Sequence, residues 1–346
     1  MKSPAPSPSV IDVLGAGRWG TTFAKILADC GASHGTKVRL WPRPEIAAEI
    51  NDRHRNSQYL KDTVLPENLT ASTQPEEVLA GAEIVVLAVP AQTLRAQLRS
   101  LRSLVPADAV VVSLMKGLEV GTDSRMSQVI AEELSLPQDR IAVVSGPNLA
   151  MEIARQEPTA SVVACTDLDT AAWIAESCTA PYFRPYTNTD VVGTEIGGIV
   201  KNVIALAVGI CDGRGMGDNT KASVMTRGLA ETTRLALALG GSAETMAGLS
   251  GMGDLIATCS SPLSRNHTAG TLLAQGLSLT EVNAAMTQTA EGIKSAQAVL
   301  DRATQLGVYM PITENVVAVL QGVISVDELG PRLLARELKS EGVQAP

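Results

Sequence analysis

Short apolar runs alternate with helix-patterned stretches over the first half of the chain. The first run is followed by a glycine turn, a helical stretch over Thr21–Cys30 and a second run, which is the order of a β-α-β unit. Continuous apolar strands alternating with helices predict a doubly wound parallel sheet with both faces covered, a Rossmann domain at residues 10–190. The predicted strands are Val10–Leu14, Lys37–Trp41, Ile84–Val89, Ala109–Leu114, Ile141–Val144 and Ser161–Cys165.

After Tyr186 the strand pattern ends, and helix-patterned segments joined by short glycine-rich loops follow. They predict an all-helical C-terminal domain at residues 191–335, between tails at 336–346 and at 1–9, the latter disordered. The predicted helices are Gly193–Cys211, Lys221–Leu239, Ser242–Gly248, Leu263–Leu273, Leu279–Ala285, Gly292–Leu306 and Ile312–Gly322.

Charge and composition narrow the classes of function. A formal net charge of -8 argues against a sequence-independent grip on nucleic acid or an anionic membrane, because both need a basic face. The most apolar segment, Ile196–Cys211, has Lys201 and Asn202 at its centre and falls short of the roughly 18 uninterrupted apolar residues of a membrane span. The five cysteines lack zinc or redox spacing, and the opening residues lack the apolar stretch of a signal peptide. We therefore expect a reduced, cytoplasmic protein without a metal.

A glycine motif follows the first predicted strand. Gly15, Gly17 and Gly20 form GxGxxG between a strand and a helix, the context of a dinucleotide site rather than of an ordinary glycine turn. Pro90 ends the third predicted strand, at the sheet edge where ligands of such folds bind. Where NAD-selective folds usually place a carboxylate, after the second strand, the chain has Arg43. A guanidinium can pair with a 2′-phosphate, so NADP is permitted beside NAD, although a solvated loop arginine fits the pattern equally well.

Lys201 is the most informative polar residue. With only three histidines in the chain, we assign proton transfer to another residue type. Every close neighbour of Lys201 except Asn202 is apolar, and burial moves a lysine pKa toward the range useful for proton transfer. The alternative is a lysine that reaches the helix surface, but two preceding glycines favour a close approach by another chain or a cofactor. Lys116, between the fourth strand and a glycine, is predicted to point inward.

A second polar cluster lies in the helical half. Asp254 and Thr258 are four residues apart and share a face if that stretch is helical. Ser264, Arg265 and Asn266 precede or open a helix, where free backbone N–H groups and the helix dipole favour a phosphate. Taken singly, each of these residues is an ordinary polar residue.

Four sequence blocks together resemble the bacterial NAD(P)-dependent glycerol-3-phosphate dehydrogenases, and the resemblance runs from Val13 to about Gly322. The blocks are Ser145–Asn148, Glu195–Val203, Asp212–Lys221, and Gly253–Leu255 with Ser264–Asn266. The resemblance implies interconversion of sn-glycerol 3-phosphate and dihydroxyacetone phosphate with NAD or NADP, in the supply of glycerol 3-phosphate for phospholipids. It also implies a small-molecule substrate. From the net charge and the lack of a long apolar segment we expect no nucleic acid and no integral membrane partner, and we add a homodimer as an expectation.

The resemblance assigns roles to individual residues. Lys201 would accept the alcohol proton in oxidation and donate a proton in reduction. Residues that would contact the substrate are Lys116, Gly146, Asn148, Asp254, Ser264, Arg265 and Asn266, to which we add Thr258 and Lys201. Residues that would line the cofactor are Arg18, Trp19, Arg43, Tyr59, Lys116, Ala150, Arg265, Thr289 and Glu291. The chain departs from the common pattern at Arg18 and Asn148, where Ser is frequent, and at Leu149, where an aromatic residue is frequent.

Two other functions remain open from the sequence. Another hydroxyacid dehydrogenase with a Rossmann and a helical domain shares the glycine motif and the lysine, but does not predict the blocks Gly217–Lys221 or Ser264–Asn266. A non-catalytic NAD(P)-sensing protein needs the glycine turn but no desolvated lysine.

Overall fold

The computed structural model describes residues 6–286 and 290–335, and these form two compact units. The first unit runs to Met115 and resumes over Arg125–Val191, and the second takes Lys116–Ser124 and the chain from Val192 onward. The domains predicted at 10–190 and 191–335 are each continuous, whereas in the structure the short segment that begins with Lys116 lies with the helical unit.

The first unit contains one eight-stranded sheet in the order β3-β2-β1-β4-β5-β6-β7-β8. All neighbouring pairs are parallel except β6 with β7, so the last two strands run opposite to the others. The strands are β1 Val10–Leu14, β2 Lys37–Trp41, β3 Leu69–Ala71, β4 Ile84–Leu87, β5 Val110–Ser113, β6 Ile141–Ser145, β7 Thr159–Ala164 and β8 Phe183–Asn188.

Helices cover both faces of this sheet, which confirms the predicted Rossmann class. Val86 of β4 packs into the core that contains Phe23, while its neighbours Val85 and Leu87 pack into a separate core on the other face. The helices of this unit are α1 Arg18–Gly31, α2 Pro44–Arg53, α3 Ser57–Leu60, α4 Pro75–Leu79, α5 Leu94–Leu101, α6 Met126–Leu134, α7 Ala150–Ala154 and α8 Leu168–Ser177, with 3-10 turns at Ala32–His34, Ala91–Thr93 and Gln138–Arg140.

The sequence prediction missed two strands, β3 and β8. Both carry exposed polar residues, so neither shows the continuous apolar run by which the buried strands were recognised. β3 has only three residues, and β8 lies at the opposite edge of the sheet, where one side of the strand has no neighbour.

The second unit is helical over its described residues. Its helices are α9 Val191–Gly213, α10 Asp218–Ala238, α11 Ala243–Ala247, α12 Asp254–Ser260, α13 Arg265–Ala274, α14 Leu279–Ala285, α15 Glu291–Gln305, α16 Pro311–Leu320 and α17 Val326–Leu334, with a π-helical turn at Leu249–Gly253. The prediction missed α12, the π turn and α17, and it began α13 two residues early.

α9 is the central helix of this unit. It is the one helix in the described ranges that is long and apolar enough to cross a membrane, and 94% of its most apolar window is buried inside the protein. α13 crosses it where Gly209 and Gly270 bring the two backbones together. A Cβ on Gly209 would lie 2.1 Å from the carbonyl oxygen of His267, and one on Gly270 would lie 2.2 Å from that of Leu206. Glycine at both positions therefore permits this crossing.

Glu231 of α10 caps the N-terminus of α16. We expect removal of its carboxylate to lower the stability of the protein strongly. Its buried carboxylate accepts hydrogen bonds from the backbone N–H groups of Ile312 (2.7 Å) and Thr313 (3.2 Å). Burial raises the pKa of Glu231 to about 7, against the effect of these hydrogen bonds. We expect Glu231→Ala to lower the free energy of unfolding by about 1 to 3 kcal/mol for each orphaned donor, measured by urea denaturation.

The matched control for this prediction is Glu281→Ala. Glu281 accepts a 2.8 Å hydrogen bond from the backbone N–H of Ser278 at an exposed helix start, where water can replace the carboxylate. Glu281→Ala should therefore lower the free energy of unfolding clearly less than Glu231→Ala does. Equal losses for the two variants would contradict a buried-cap role for Glu231.

Candidate active site

The glycine turn of the first unit has the geometry that a dinucleotide requires. Gly15 has φ 109°, and a Cβ there would lie 2.5 Å from the carbonyl oxygen of Ala88. A Cβ on Gly20 would lie 2.0 Å from the carbonyl oxygen of Gly15, so only glycine lets α1 pack on this turn. Among the described residues other than its two chain neighbours, no atom lies within 4 Å of the place of a Cβ on Gly17, the N-cap of α1. A phosphate can therefore approach the free N–H groups of the helix start.

Four of the predicted cofactor residues lie together beside this turn. The Arg18 Nε donates to the backbone carbonyl of Tyr59 (3.4 Å), and the Arg43 Nη2 donates to the Tyr59 hydroxyl (3.4 Å). The Nε1 of Trp19 is buried and has no hydrogen-bond partner within the described part of the chain. Two guanidinium groups, an open helix N-terminus and an unused indole donor fit an anionic dinucleotide.

Asn56 supports the glycine turn and was missed by the sequence reasoning. Its fully buried side chain donates to the backbone carbonyl of Ala16 (3.1 Å) and to the Thr21 hydroxyl (2.8 Å). It lies in a polar stretch without periodicity, so the sequence carried no signal for it. The Thr22 hydroxyl bonds to the carbonyl of Ala150, which joins α1 to the start of α7 (3.3 Å).

The other predicted residues of this unit lie at strand ends. Pro90 follows β4, and Gly146 follows β6 with φ 140°, a conformation that favours glycine. The Asn148 Nδ2 donates to the Ser161 hydroxyl (3.0 Å), while its Oδ1 is buried and has no partner in the described residues. Their roles toward substrate or cofactor stay predictions.

In the second unit, two lysines meet one buried carboxylate. Asp254, 1% exposed, accepts from the Lys201 Nζ at Oδ1 (2.5 Å) and from the Lys116 Nζ at Oδ2 (2.6 Å). The Thr258 hydroxyl accepts from the Lys201 Nζ (2.7 Å) and donates to Asp254 (3.4 Å). Asp254 and Thr258 do share a face of α12, one turn apart.

Burial controls the protonation of Lys201. Removal of the ammonium from water lowers its pKa from 10.5 to about 8; the Asp254 charge opposes this shift and the Lys116 charge adds to it. Two of its three N–H donors bond to Asp254 and Thr258, and the third has no acceptor among the described residues. The result is a fixed ammonium that changes charge near neutral pH and has one donor left.

Gly197 makes this arrangement possible. A Cβ at this position would lie 2.4 Å from the carbonyl oxygen of Ser250 in the π turn that leads into α12. The close approach brings the start of α12, and with it Asp254, to the helix turn that carries Lys201. The glycine before Lys201 therefore admits a neighbouring segment of its own unit.

Ser264 and Asn266 form hydrogen bonds to other residues of the second unit. The Ser264 hydroxyl caps α13 by accepting from the backbone N–H of His267 (3.3 Å). The Asn266 Nδ2 donates to the Asn202 Oδ1 (2.8 Å), and its Oδ1 accepts from the backbone N–H of Gly292 (2.9 Å). Asn202 thus joins α9 to α13 and was missed as a site residue, although it is the one polar neighbour of Lys201 in an apolar helix.

Arg265 is exposed at the start of α13, and Glu291 begins α15. Burial raises the pKa of Glu291, against the charges of Lys294 and Arg265, and its Oε2 has no partner in the described part of the chain. Thr289 lies outside the described residues. The roles of Arg265 and Glu291, like those of Ser264 and Asn266, stay predictions.

A dinucleotide-type glycine turn on a Rossmann sheet and a desolvated lysine in a helical unit together define a nicotinamide-dependent oxidoreductase. Family models agree. The model described as the NAD-dependent glycerol-3-phosphate dehydrogenase N-terminus matches residues 10–171, and that of the C-terminus matches residues 190–330. The chain belongs to the family of NAD-dependent glycerol-3-phosphate dehydrogenases.

Individual relatives are similar over nearly the whole chain. The glycerol-3-phosphate dehydrogenase [NAD(P)+] of Thermobifida fusca is 54% identical over 96% of this chain and 98% of its own. The protein of the same name from Streptomyces griseus is 56% identical over 92% and 96% of the two chains. The crystal structure of glycerol-3-phosphate dehydrogenase from Coxiella burnetii matches with a TM-score of 0.88 and 34% identity, over 95% of this chain and 99% of that one.

Proposed function

We propose that this protein interconverts sn-glycerol 3-phosphate and dihydroxyacetone phosphate with NAD(H) or NADP(H). The observation that carries the proposal is the buried Lys201 ammonium, fixed by Asp254 and Thr258 with one donor unassigned. A family relationship over residues 10–171 and 190–330 supports the choice of substrate. A nicotinamide cofactor, when bound, would supply or accept the hydride.

Lys201 moves the proton. In reduction, the ammonium at Nζ donates a proton to the oxygen on C2 of the substrate as that oxygen becomes an alkoxide. In oxidation, the neutral amine accepts the hydroxyl proton. Asp254 stabilises the ammonium of Lys201, while the Lys116 charge lowers the pKa of Lys201 and so keeps its amine form accessible.

The remaining predicted residues would bind the substrate and the cofactor and orient them. The Arg265 guanidinium and the N–H groups at the start of α13 would hold the substrate phosphate, which fixes C2 relative to Lys201. The N–H groups at the start of α1, above Gly17, would hold the pyrophosphate of the cofactor, and Trp19 with Tyr59 would line its site. We assign cofactor binding to the predicted domain at 10–190 and substrate binding to that at 191–335.

The experiment that tests the proposal is a spectrophotometric assay. The purified protein should oxidise NADPH and NADH when dihydroxyacetone phosphate is added, and chiral analysis should identify the product as sn-glycerol 3-phosphate. Turnover only with a keto acid would indicate a different dehydrogenase. Cofactor binding without turnover of any substrate would indicate a sensor. We also propose a cytoplasmic location, a role in phospholipid supply and a homodimer, the last tested by light scattering.

Cofactor choice is the next prediction. Arg43 lies at the predicted ribose end and contacts Tyr59, as Arg18 does, so two cations can attract a 2′-phosphate. We expect the wild type to use NADPH at least as well as NADH. Arg43→Asp replaces an attraction by a repulsion and should raise the KM for NADPH by about tenfold or more, with a much smaller change for NADH.

The measurement is kcat/KM for both cofactors in the wild type and in the variant. Arg53→Asp is the matched control, because Arg53 is an exposed arginine at the far end of the helix that Arg43 caps. Equal responses of the two cofactors to Arg43→Asp would mean that Arg43 is only a loop residue.

A further inference from the structure

A cavity of about 740 Å³ lies in the first unit and is not used by the proposed reaction. It is lined by α1, by the segment that follows α3 and by α7. Its volume is within the roughly 300 to 1,000 Å³ of sites that bind small organic molecules. The cations Lys25, Lys61 and Arg155 and the carboxylates Asp29 and Asp62 line it, together with apolar side chains that include Leu60 and Met151.

One wall carries a buried lysine with an unused donor. The Lys25 Nζ, in a residue only 5% exposed, donates to the Asp29 Oδ2 (2.6 Å) and more weakly to the Tyr182 hydroxyl (3.5 Å). Tyr182 itself donates to the same Asp29 oxygen (2.5 Å). The third N–H of Lys25 has no acceptor among the described residues, although a buried ammonium is stabilised by each acceptor that it gains.

Two residues at the edge of the cavity adopt backbone conformations that favour glycine. Lys61 has φ 54° and ψ -119°, and Gln156 has φ 64°. At such positions glycine would remove the strain that a Cβ causes. The chain has a long polar side chain at both, which indicates that these side chains do something that glycine could not.

The third feature is an exposed apolar residue. Val64 is 59% exposed and lines the cavity beside the buried Leu60 and Leu65. A ligand that covers Val64 would remove apolar surface from water, while its charged end would face the lysines. Both kinds of surface are thus present in one cavity.

We propose that this cavity binds a small organic anion with an apolar body, and that its occupancy regulates affinity for the cofactor. The anionic group bonds to Lys25 and Lys61, and the apolar body covers Val64 and Met151.

The coupling follows from the elements that form the walls. α1 begins at the glycine turn and carries Arg18, α3 carries Tyr59, and α7 begins at Ala150, which accepts a hydrogen bond from α1. Each of the three helices that touch the cavity therefore carries or begins at a residue that we predict to bind the cofactor. A ligand that orders these helices changes the free energy of cofactor binding, and linkage requires the reverse effect to be equal.

Octanoate is the probe for the binding test, because it has one carboxylate and one apolar chain. We expect calorimetry to show saturable binding of octanoate to the full-length protein, and no binding of inorganic phosphate or 1-octanol at equal concentration. Lys61→Gly should weaken octanoate binding by about tenfold or more. The same variant should raise the Tm by roughly 2 °C or more, because glycine relieves the strain at this position.

The matched control is Ser135→Gly. Ser135 also has a left-handed conformation in this unit, at φ 55°, and does not line the cavity. It should leave octanoate binding unchanged. No octanoate binding by the wild type, or equal affinity in Lys61→Gly and the wild type, would overturn the proposed site.

The coupling is tested by titration of NADPH with and without saturating octanoate. We expect the Kd for NADPH to change by about fivefold or more, and the Kd for octanoate to change by the same factor when NADPH saturates. An unchanged Kd for NADPH in the presence of octanoate would overturn the proposal that the cavity regulates cofactor affinity. These readouts are binding constants, so they are independent of the proposed reaction, which fails only if dihydroxyacetone phosphate is not reduced.

Discussion

Lys201→Ala is expected to lower kcat for reduction of dihydroxyacetone phosphate by about 10² to 10⁴, the scale of a lost general acid. The variant removes an ammonium that bonds to both Asp254 and Thr258. NADPH affinity should stay within about twofold of the wild type, because the glycine turn is formed by residues of the first unit alone. Stopped-flow turnover and fluorescence titration of NADPH give the two quantities separately.

Two controls make this result specific. Lys221→Ala removes a lysine of the same unit that is paired with Asp212 (3.0 Å) and Asp218 (3.1 Å), and it should leave kcat near the wild-type value. Added ethylamine should restore part of the activity of Lys201→Ala, since a free amine can occupy the vacated space and transfer the proton. Near-normal turnover in Lys201→Ala without an amine would contradict the role of Lys201.

Asp254→Asn is the second change with a large expected effect. It leaves two lysines around a neutral amide, and breaking a buried ion pair by removal of one partner costs about 3 to 5 kcal/mol. We expect a loss of unfolding free energy of this size. The Asp254 charge raises the pKa of Lys201, so its loss should move the inflection of the reduction rate to lower pH.

Lys116→Met should shift the inflection of the reduction rate in the opposite direction. The Lys116 charge lowers the pKa of Lys201, so this variant should move the same inflection to higher pH while Asp254 keeps one partner. Urea denaturation and pH–rate profiles of both variants test the assignment. Shifts in the same direction for the two variants would contradict the electrostatic arrangement of the site.

Sequence reasoning recovered the parts of the fold whose residues repeat a pattern. The buried strands of the sheet and the long helices were recognisable because continuous apolar runs and helical periodicity recur along them. β3 and β8 were missed because edge strands alternate polar and apolar residues over a few positions. α12 was missed as a helix because it follows a π turn rich in glycine, which interrupts the periodicity.

The site, too, could be predicted only where a local sequence pattern marks a residue. Lys201 was recognisable because a charge inside an apolar helix is rare. Its bonds to Asp254 and Thr258, by contrast, span 53 and 57 residues and depend on the close approach that Gly197 permits. No local pattern encodes that approach. Asn56 and Asn202 were missed for a related reason, since each acts through tertiary contacts of a single polar side chain.

The most direct test of the central claim, that Lys201 exchanges a proton with the substrate oxygen, is the pH dependence of kcat in both directions. Burial lowers the pKa of Lys201 to about 8, and reduction needs the ammonium whereas oxidation needs the amine. Reduction of dihydroxyacetone phosphate should therefore be constant at low pH and fall as pH rises through about 8. Oxidation of glycerol 3-phosphate should rise over the same interval and level off above it. Profiles that change in the same direction, or that persist unaltered in Lys201→Ala, would contradict the account.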